Sequence, residues 1–342
     1  MRALTCHAEL TLPHHPAYMP QILDRLQSFQ ARREGPRLAY AFGWLEIEAQ
    51  GARVRLRGTA PDPAGLARLK DLMATAFRLY AREDAPEIVW AGDGAGDARL
   101  DAFRLMRVET VTRIAPHMNR VRLRGEGLDR FAAFGNMHVR LLLPGPGVVW
   151  PVAGPDGLPH WPDPARKPIP RVYTIRRMDA AAGWLDLDIL LHGTEGPGSA
   201  WALTVEPGAE VGLIGPLGRP LRYDARRYIL GADETGLPAV ARLLETLPET
   251  TQGVAFVELA DMAERQEIAN RTRIRLEWLR RGELAGAVLA QGWDEGTFGW
   301  FAAESDVARQ VREAWRGARG LGRDVTLVAA YWRRGVAGLM AG

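Results

Sequence analysis

The sequence has one cysteine, Cys6, and lysine occurs only at positions 70 and 167. A single cysteine excludes a disulfide within the chain, a cage of thiolate metal ligands and a cysteine-held iron–sulfur cluster. A chain without disulfides is typical of a reducing compartment. The shortage of lysine means that arginine supplies nearly all of the 44 basic residues. A GC-rich genome is the simpler explanation, and a preference for bidentate anion recognition is the alternative.

Long apolar runs and an excess of one charge are also missing. No apolar run approaches the ~20 residues that span a bilayer, and the first fifteen residues have no apolar core before a cleavage site. The 44 basic and 41 acidic residues leave a net charge of only +3. Nucleic-acid binding would need basic residues clustered on one face. We therefore expect a soluble, cytoplasmic protein that neither inserts into membranes nor binds nucleic acid.

The length of 342 residues predicts several domains, because single hydrophobic cores stop growing well below this size. Residues 1–95 combine strand alternation with two helical patterns and predict a small α+β domain. The small polar run "GDGAGDA", residues 92–98, predicts a linker.

Residues 103–225 change to strand after strand, with one short helix, "GSAWALTVE", before the last strand. Six apolar and β-branched runs bounded by Gly and Pro predict a six-stranded antiparallel barrel. They are "FRLMRVETVTRIAP", "MNRVRLRGEG", "MHVRLLLP", "RVYTIRRMD", "WLDLDILLHG" and "AEVGLIGP". The Pro-rich segment 144–170 is too long for a hairpin turn, and its two tryptophans favour a lid over a ligand.

Residues 226–342 alternate strands with helices, from "RYILGAD" and "LPAVARLLETLP" to "SDVARQVREAW" and "VTLVAAYW". This alternation predicts a doubly wound α/β domain with a parallel sheet. Ligands of such sheets bind beyond the carboxyl ends of the strands, so a cleft beside the barrel is the expected site.

The run "RVYTIRR" places polar residues inside an apolar strand pattern. Alternation puts Arg171, Tyr173 and Ile175 on one side and Thr174 and Arg176 on the other. An arginine beside an aromatic ring and a hydroxyl matches a flavin, because the guanidinium can bind the pyrophosphate while the ring and hydroxyl meet the isoalloxazine. An exposed edge strand with solvated arginines is the alternative.

The run "HGTEGPGSAWALTV" places a Gly-rich turn and Ser199 ahead of a helix. Backbone N–H groups at a helix start bind phosphate. Taken alone, the turn is explained as well by Ser199 capping its own helix. Its position one strand after "RVYTIRR" favours a diphosphate shared by the two segments.

Two further motifs border the expected cleft. "YILGADETGLPAVARLL" is a strand, turn and helix without G-x-G-x-x-G spacing, and Asp233 and Glu234 would repel a diphosphate unless they cap the helix or point away. "YWRRG" ends the last strand with two aromatics and two arginines, which either border the cleft or complete the core and meet solvent. His7, His14 and His15 lack further ligands at suitable spacing, so no metal site is predicted.

These motifs resemble the siderophore-interacting protein family, FAD-containing ferric-siderophore reductases related to ferredoxin–NADP reductases. The resemblance covers roughly residues 103–338 in the expected order. It is carried by "IAPHMNRVRLRGEGL" (114–128), "HVRLLLPGPG" (138–147), "RVYTIRR" (171–177), "LDLDILLHGTEGPGSAWA" (185–202), "GAEVGLIGPLG" (208–218), "GADETGLPAVARLLETLP" (231–248) and "YWRRG" (331–335).

The resemblance implies a Greek-key FAD barrel, a smaller nucleotide-type domain and reduction of siderophore-bound iron(III) to iron(II). It also implies the cofactor residues by position. Arg171, Tyr173 and Thr174 would hold the FAD phosphates and flavin ring, His192, Gly193, Gly198 and Ser199 would complete the diphosphate site, and Asp233, Glu234 and Thr235 replace the Gly-rich nucleotide turn of the wider superfamily. The electron donor is expected to be NADPH, with NADH or ferredoxin as alternatives.

Residues 1–92 resemble a small bacterial domain of unknown function that also occurs fused to this family. The similarity lies in "LPHHPAYMPQILDRLQ", "LARLKDLMATAF" and "PEIVW". The His-rich centre expected after the first helix is replaced here by "SFQARREG". No catalytic role is assigned to this domain.

The expected reaction needs a flavin, which accepts a hydride and passes electrons on singly, but no protein acid or nucleophile. Arg176, Arg177, Arg333 and Arg334 are the candidates for attracting an anionic ferric siderophore. Two rival functions stay open at this point. One is a general NAD(P)H:flavin or quinone reductase, and the other is a flavin-free siderophore-binding protein.

Overall fold

The computed structural model describes residues 2–96, 100–133, 136–218 and 222–336. The chain divides into two compact units. The first comprises Met1–Phe103 and Pro146–Lys167, and the second comprises Arg104–Gly145 and Pro168–Gly342.

The helices and strands are numbered in chain order. The first group is β1 (Leu4–Thr11), α1 (His15–Gln27), β2 (Arg32–Glu34), β3 (Arg37–Tyr40), β4 (Gly43–Gln50), β5 (Arg53–Ala60), α2 (Pro63–Tyr80) and β6 (Ala91–Gly92). The second is β7 (Phe103–Ala115), β8 (Met118–Arg124), α3 (Asp129–Ala133), β9 (His138–Leu143), β10 (Val152–Ala153), β11 (Pro159–His160), β12 (Ile169–Asp179), β13 (Trp184–Leu190), α4 (Pro197–Thr204) and β14 (Glu210–Leu217). The third is β15 (Arg227–Ala232), α5 (Leu237–Thr246), β16 (Gln252–Leu259), β17 (Arg273–Arg280), α6 (Leu284–Leu289), β18 (Thr297–Glu304), α7 (Ser305–Arg312) and β19 (Thr326–Trp332). Within the described ranges, every helix is too short or too polar to cross a membrane.

The first unit is an antiparallel sheet with two helices packed on it. The strands lie in the order β2-β3-β4-β5-β1-β6. Strands β1 and β5 bury every second residue, as the period of a strand requires. Helix α2 begins where the sequence has Asp-Pro, because Asp62 Oδ1 accepts a hydrogen bond from Gly65 N at 2.7 Å and Pro63 occupies the first turn. The predicted α+β fold of this region is confirmed.

The predicted linker begins as part of this unit. Ala91 and Gly92 form β6, which pairs with β1, and Asp93 Oδ2 accepts from Thr5 N at 2.8 Å. Lys70 Nζ donates to the carbonyls of Asp93 and Gly94 at 3.0 and 3.1 Å. A free linker from residue 92 is therefore wrong. Residues 97 and 98 of the predicted segment lie outside the described residues.

The predicted lid also folds with the first unit. Residues 146–167 contain the short hairpin β10–β11, and Leu158 is buried in the first unit's core. Trp90 Nε1 donates to the Asp156 carbonyl at 2.8 Å, and Arg78 pairs with the Asp156 carboxylate. These contacts anchor the segment to a hydrophobic core, which does not support the expectation of a lid over a ligand.

The six predicted runs form a closed antiparallel barrel in the second unit, in the order β12-β13-β8-β7-β14-β9. Outward-facing charges tie two neighbouring strands together. Arg122 binds Asp186 with two hydrogen bonds of 2.7 and 2.9 Å, and Arg120 binds Asp188 in the same way at 2.7 and 2.8 Å. The alternating "NRVRLR" and "LDLDIL" patterns supply both the ion pairs outside and the apolar core inside.

The remainder of the second unit is a parallel sheet in the order β17-β16-β15-β18-β19. Helix α5 packs on one face of the sheet, and α6 and α7 pack on the other. The order reverses between β15 and β18, so the carboxyl ends of these strands lie at the topological switch point. The predicted doubly wound α/β domain is confirmed.

Candidate functional site

Strand β12 carries the residues of "RVYTIRR" on two sides, as alternation predicted. Ile175 is fully buried in the barrel core, and Tyr173 packs against the same core. On the other side, Thr174 is buried, and Arg176 meets the α/β domain, where it binds Glu245. The strand therefore separates a barrel-side set of residues from a set that meets the α/β domain.

The barrel-side residues meet the start of helix α4. A Cβ atom at Gly198 would lie 2.1 Å from the Tyr173 hydroxyl and 3.7 Å from Arg171 Cγ. A Cβ atom at Gly196 would lie 2.4 Å from His192 Cε1. Only glycine allows these side chains to approach the backbone so closely. The structure thus brings Arg171, Tyr173, His192 and Gly198 together.

The side chain of Ser199 does not cap its own helix. Its hydroxyl donates to the Gly193 carbonyl at 2.6 Å and accepts from His192 N at 2.9 Å. Gly196, and not Ser199, is the N-cap of α4. Ser199 therefore holds the His192–Gly193 turn in place, and a cap by Ser199 is wrong.

This turn has the donors that a diphosphate requires. The first N–H groups of a helix have no intrahelical acceptor, and no side chain of the described residues caps α4. The Arg171 side chain passes beside them, and its Nη1 donates to the Pro170 carbonyl at 2.6 Å. Arg171 forms no ion pair with a carboxylate in the described part of the chain. Burial raises the pKa of Tyr173 to about 12, so its hydroxyl stays neutral. The residues present fit a bound FAD diphosphate, with Gly193 at φ +93° facing open space.

On the Thr174 side of the strand, His138 and Tyr331 form a contact that the sequence did not predict. The Tyr331 hydroxyl lies 2.5 Å from His138 Nε2. Thr174 and His138 are partners in the pairing of β12 with β9. Tyr331 is 193 residues from His138 in the sequence, so no local signal could have joined them.

Arg176 is not in a position to bind substrate. Its side chain is 3% exposed and makes hydrogen bonds of 2.6 and 2.7 Å to Glu245 on α5. The Asp188 carboxylate lies 3.7 Å away. Burial and two carboxylates explain the placement, so the prediction that Arg176 attracts a siderophore is withdrawn. Arg177, by contrast, is 46% exposed, and its guanidinium contacts Glu245 at the longer distance of 3.5 Å.

The Asp233–Thr235 turn uses its polar atoms within the α/β domain. Asp233 Oδ1 accepts from the backbone and side chain of Thr235, and Oδ2 accepts from Glu304 N at 3.0 Å and Trp332 Nε1 at 2.7 Å. Glu234 accepts a hydrogen bond from Ala260 N. These contacts join the carboxyl ends of four strands, β15, β16, β18 and β19. Burial raises the pKa of Asp233, and both oxygens of its carboxylate accept hydrogen bonds from within the domain.

The remaining predicted residues lie at the surface or serve structure. Arg333 and Arg334 are exposed beyond β19, with Arg334 N donating to Glu304 at 3.2 Å. His14 pairs with Asp84 at 2.7 Å, and His15 Nε2 lies 2.9 Å from the Gly51 carbonyl. No group of three His, Cys, Asp or Glu side chains that could hold a metal occurs in the described residues.

Comparisons with known proteins match the two parts of the second unit. Residues 107–220 match the siderophore-interacting FAD-binding domain, and residues 225–335 match the siderophore-interacting protein model. Ferric vibriobactin reductase ViuB of Vibrio cholerae is 31% identical over 236 residues, which cover 65% of this chain and 86% of that protein. The chain belongs to the siderophore-interacting protein family.

Two further members extend the comparison. The NADPH-dependent ferric-chelate reductase of Escherichia coli is 32% identical over 242 residues, covering 67% of this chain and 92% of that protein. The crystal structure of the siderophore-interacting protein SipS from Aeromonas hydrophila has a TM-score of 0.60 and 28% identity. The matched region covers 69% of this chain and 94% of SipS. The predicted family and FAD-binding barrel are confirmed.

Proposed function

We propose that this family member is an FAD-dependent reductase of ferric siderophores that releases iron as Fe(II) in the cytoplasm. The observation that carries the proposal is the turn at the start of α4, where Arg171 and uncapped backbone N–H groups converge beside Tyr173. The names of the V. cholerae and E. coli relatives support ferric chelates as the substrate class. The lone cysteine is consistent with a reducing compartment.

In this proposal, the barrel holds FAD and the α/β domain borders the flavin. Arg171 and the N–H groups of Gly198 and Ser199 bind the diphosphate, and Tyr173 and Thr174 meet the isoalloxazine ring. His192 and Gly193 shape the turn, which Ser199 fastens. Bound FAD supplies the conversion of a hydride into single electrons. The protein residues bind and orient the reactants and exclude water.

One-electron reduction releases the iron because Fe(II) binds hard oxygen ligands more weakly than Fe(III). The metal step therefore needs no acid, base or nucleophile from the chain. An anionic ferric siderophore needs attraction by exposed positive charge. Arg177, Arg333 and Arg334 remain candidates for this attraction because all three are exposed.

We propose NADPH as the electron donor, with NADH or ferredoxin as alternatives. The name of the E. coli relative supports NADPH. The switch point between β15 and β18 is where sheets of this type bind nucleotides. Since the carboxylates of Asp233 and Glu234 are held by hydrogen bonds within the domain, they do not point at an incoming diphosphate.

The first test is the visible spectrum of the full-length protein under anaerobic conditions. We expect a flavin spectrum that bleaches with NADPH and recovers when a ferric siderophore is added. Flavin that bleaches only with a reduced ferredoxin would identify the other donor. Fast turnover of quinones with no recovery by ferric siderophores would support the general reductase.

A protein that contains no flavin and binds none when FAD is supplied would overturn the proposal in favour of a binding protein. The Arg171→Ala variant, purified in the same way, tests whether the flavin is bound at the α4 turn. It should contain less flavin than wild type while keeping its fold, which circular dichroism would report.

A further inference from the structure

Polar side chains hold helix α4 at both of its ends. At its start, the Ser199 hydroxyl fastens the His192–Gly193 turn. In its last turn, the Ala202 carbonyl accepts a hydrogen bond of 2.7 Å from Asn119 Nδ2 on β8. The last carbonyls of a helix have no donor within it, and Ala202 is 1% exposed, so Asn119 satisfies a buried acceptor. The helix that starts at the proposed diphosphate site is therefore anchored by a residue at its far end.

Asn119 is a buried amide whose orientation is fixed. It is 6% exposed and lies opposite Arg113 in the pairing of β8 with β7. Arg113 Nε donates to Asn119 Oδ1 at 2.7 Å, and Arg113 Nη1 donates to the Pro116 carbonyl at 2.6 Å. A guanidinium only donates and a carbonyl oxygen only accepts, so turning the amide over would break the hydrogen bonds on both of its sides. Arg113 therefore directs the amide nitrogen of Asn119 at helix α4.

The residues that α4 buries completely are small, namely Gly198, Ser199 and Ala202. Trp201 adds a partly buried contact with the barrel core. Apolar stabilisation scales with the area buried, so the small side chains contribute little to the placement of the helix. The eight residues of α4 span about 12 Å, and a rigid helix that shifts at Ala202 also shifts at Gly198. Because Gly198 closely approaches the Tyr173 hydroxyl, a contact that fixes Ala202 also protects the geometry of the first turn.

We propose that Asn119 is a positioning residue of the FAD site, which sets the placement of α4 and of the backbone N–H groups that bind the diphosphate. The inference rests on the proposed function, because the first turn of α4 must hold FAD. Hydrogen bonds weaken steeply when their angles depart from the preferred range. A small displacement of these N–H groups therefore lowers the affinity for the diphosphate. Asn119 bonds to the last turn of α4, so it acts on the cofactor through the helix.

The test compares FAD binding by the full-length wild type and the Asn119→Asp variant. Aspartate keeps the side-chain volume and an acceptor for Arg113, but it replaces the amide donor with an oxygen that repels the Ala202 carbonyl. FAD affinity should fall about 3- to 10-fold, the range expected for one lost hydrogen bond. The phosphorus NMR resonances of the bound diphosphate should shift, while the visible spectrum of the flavin ring stays the same. A general loss of stability would leave both spectra of the bound cofactor unchanged.

Two additional variants separate positioning from general stability. Asn270→Asp is the matched control, because Asn270 Nδ2 donates to the Ile274 carbonyl at 2.7 Å within the α/β domain. It should leave the FAD affinity and both spectra unchanged. If Asn119→Asp does not fold, Arg113→Ala tests the same chain of hydrogen bonds from its exposed end. It should cause a smaller loss of FAD affinity and shift the same phosphorus resonances.

Unchanged FAD affinity in Asn119→Asp would overturn the inference, as would a loss of affinity without a shift of the phosphorus resonances. The measurements use neither a pyridine nucleotide nor iron. A flavoprotein that shows the shift but does not reduce ferric siderophores would therefore refute the proposed function and uphold the role of Asn119. Wild-type protein that binds no FAD would overturn both.

Discussion

The two sides of strand β12 use arginine for opposite purposes. Arg171 on one side lies next to the glycines of the α4 turn and forms no ion pair with a carboxylate of the described residues. Arg176 on the other side is 3% exposed and is bound by Glu245 through two hydrogen bonds. The first guanidinium can bind an external anion, whereas the second joins the barrel to helix α5. Partners, and not residue type, separate a ligand-binding arginine from a structural one.

The largest effect is expected when the structural arginine, Arg176, is replaced. Arg176→Met keeps apolar volume but leaves the Glu245 carboxylate, which is 17% exposed, without its main partner. We expect the free energy of unfolding to fall by about 3 kcal/mol, since breaking a buried pair strands a charge. Thermal melting of the protein should record the loss.

Arg177→Ala is the control, because Arg177 is 46% exposed and contacts the same carboxylate at the longer distance of 3.5 Å. Its removal should cost less than about 1 kcal/mol. Equal losses from the two variants would mean that the buried pair of Arg176 and Glu245 contributes no more to stability than the exposed contact of Arg177.

The next test removes the ligand-binding arginine. Arg171→Ala should weaken FAD binding about 30-fold, corresponding to about 2 kcal/mol for a charged hydrogen bond. The melting temperature of the FAD-free protein should change little. Fluorescence titration with FAD gives the dissociation constant.

Arg171→Lys sharpens the result. A lysine keeps the charge but loses the planar fork that binds phosphate oxygens in pairs. An intermediate affinity is expected. Full flavin affinity in Arg171→Ala would remove Arg171 from the diphosphate site and end the contrast between the two sides of the strand.

Much of the fold could be predicted because its signals are local. Alternation in "NRVRLR" and "LDLDIL" indicated barrel strands, and regular exchange of strands and helices after residue 226 indicated the parallel sheet. The proximity of "RVYTIRR" to the α4 turn was also inferred from their order, and Gly198 does meet Tyr173.

The partners of polar side chains could not be predicted in the same way. Glu245 lies 69 residues beyond Arg176, and Tyr331 lies 193 residues beyond His138. Such contacts depend on how two domains pack, and they produce no periodic pattern in the sequence of either segment. The Pro-rich segment 146–167 was misjudged for the same reason, since Leu158 joins a core formed by residues before position 91.

A third test uses the pH dependence of the Glu245 contact. Burial alone would raise the pKa of Glu245, but the hydrogen bond and charge of Arg176, with the charge of Arg177, outweigh it and hold that pKa below its usual range. A carboxyl group with a lowered folded-state pKa stabilises the fold above its unfolded pKa, about 4.3 for glutamate, and loses this effect as the pH falls through the folded value.

Glu245→Gln should therefore lower the melting temperature at pH 7 and reduce the part of the acid destabilisation that appears below about pH 4.3. The exposed Glu249→Gln should leave the melting curve and its pH profile unchanged. Identical acid profiles for wild type and Glu245→Gln would show that the contact between β12 and α5 does not depend on this charge.

The smallest expected effect concerns an arginine that has no carboxylate partner among the described residues. Arg333 is exposed just beyond β19, at the carboxyl edge of the parallel sheet. Arg333→Ala should slow reduction of an anionic ferric siderophore about twofold at low salt, because long-range attraction raises encounter rates. Salt near 1 M should abolish the difference, since the screening length falls to about 3 Å. Arg273→Ala, at the exposed amino end of edge strand β17, should have no effect at either salt concentration. A rate for Arg333→Ala that matches wild type at low salt would leave Arg333 as a solvated residue and confine recognition of the siderophore to other groups.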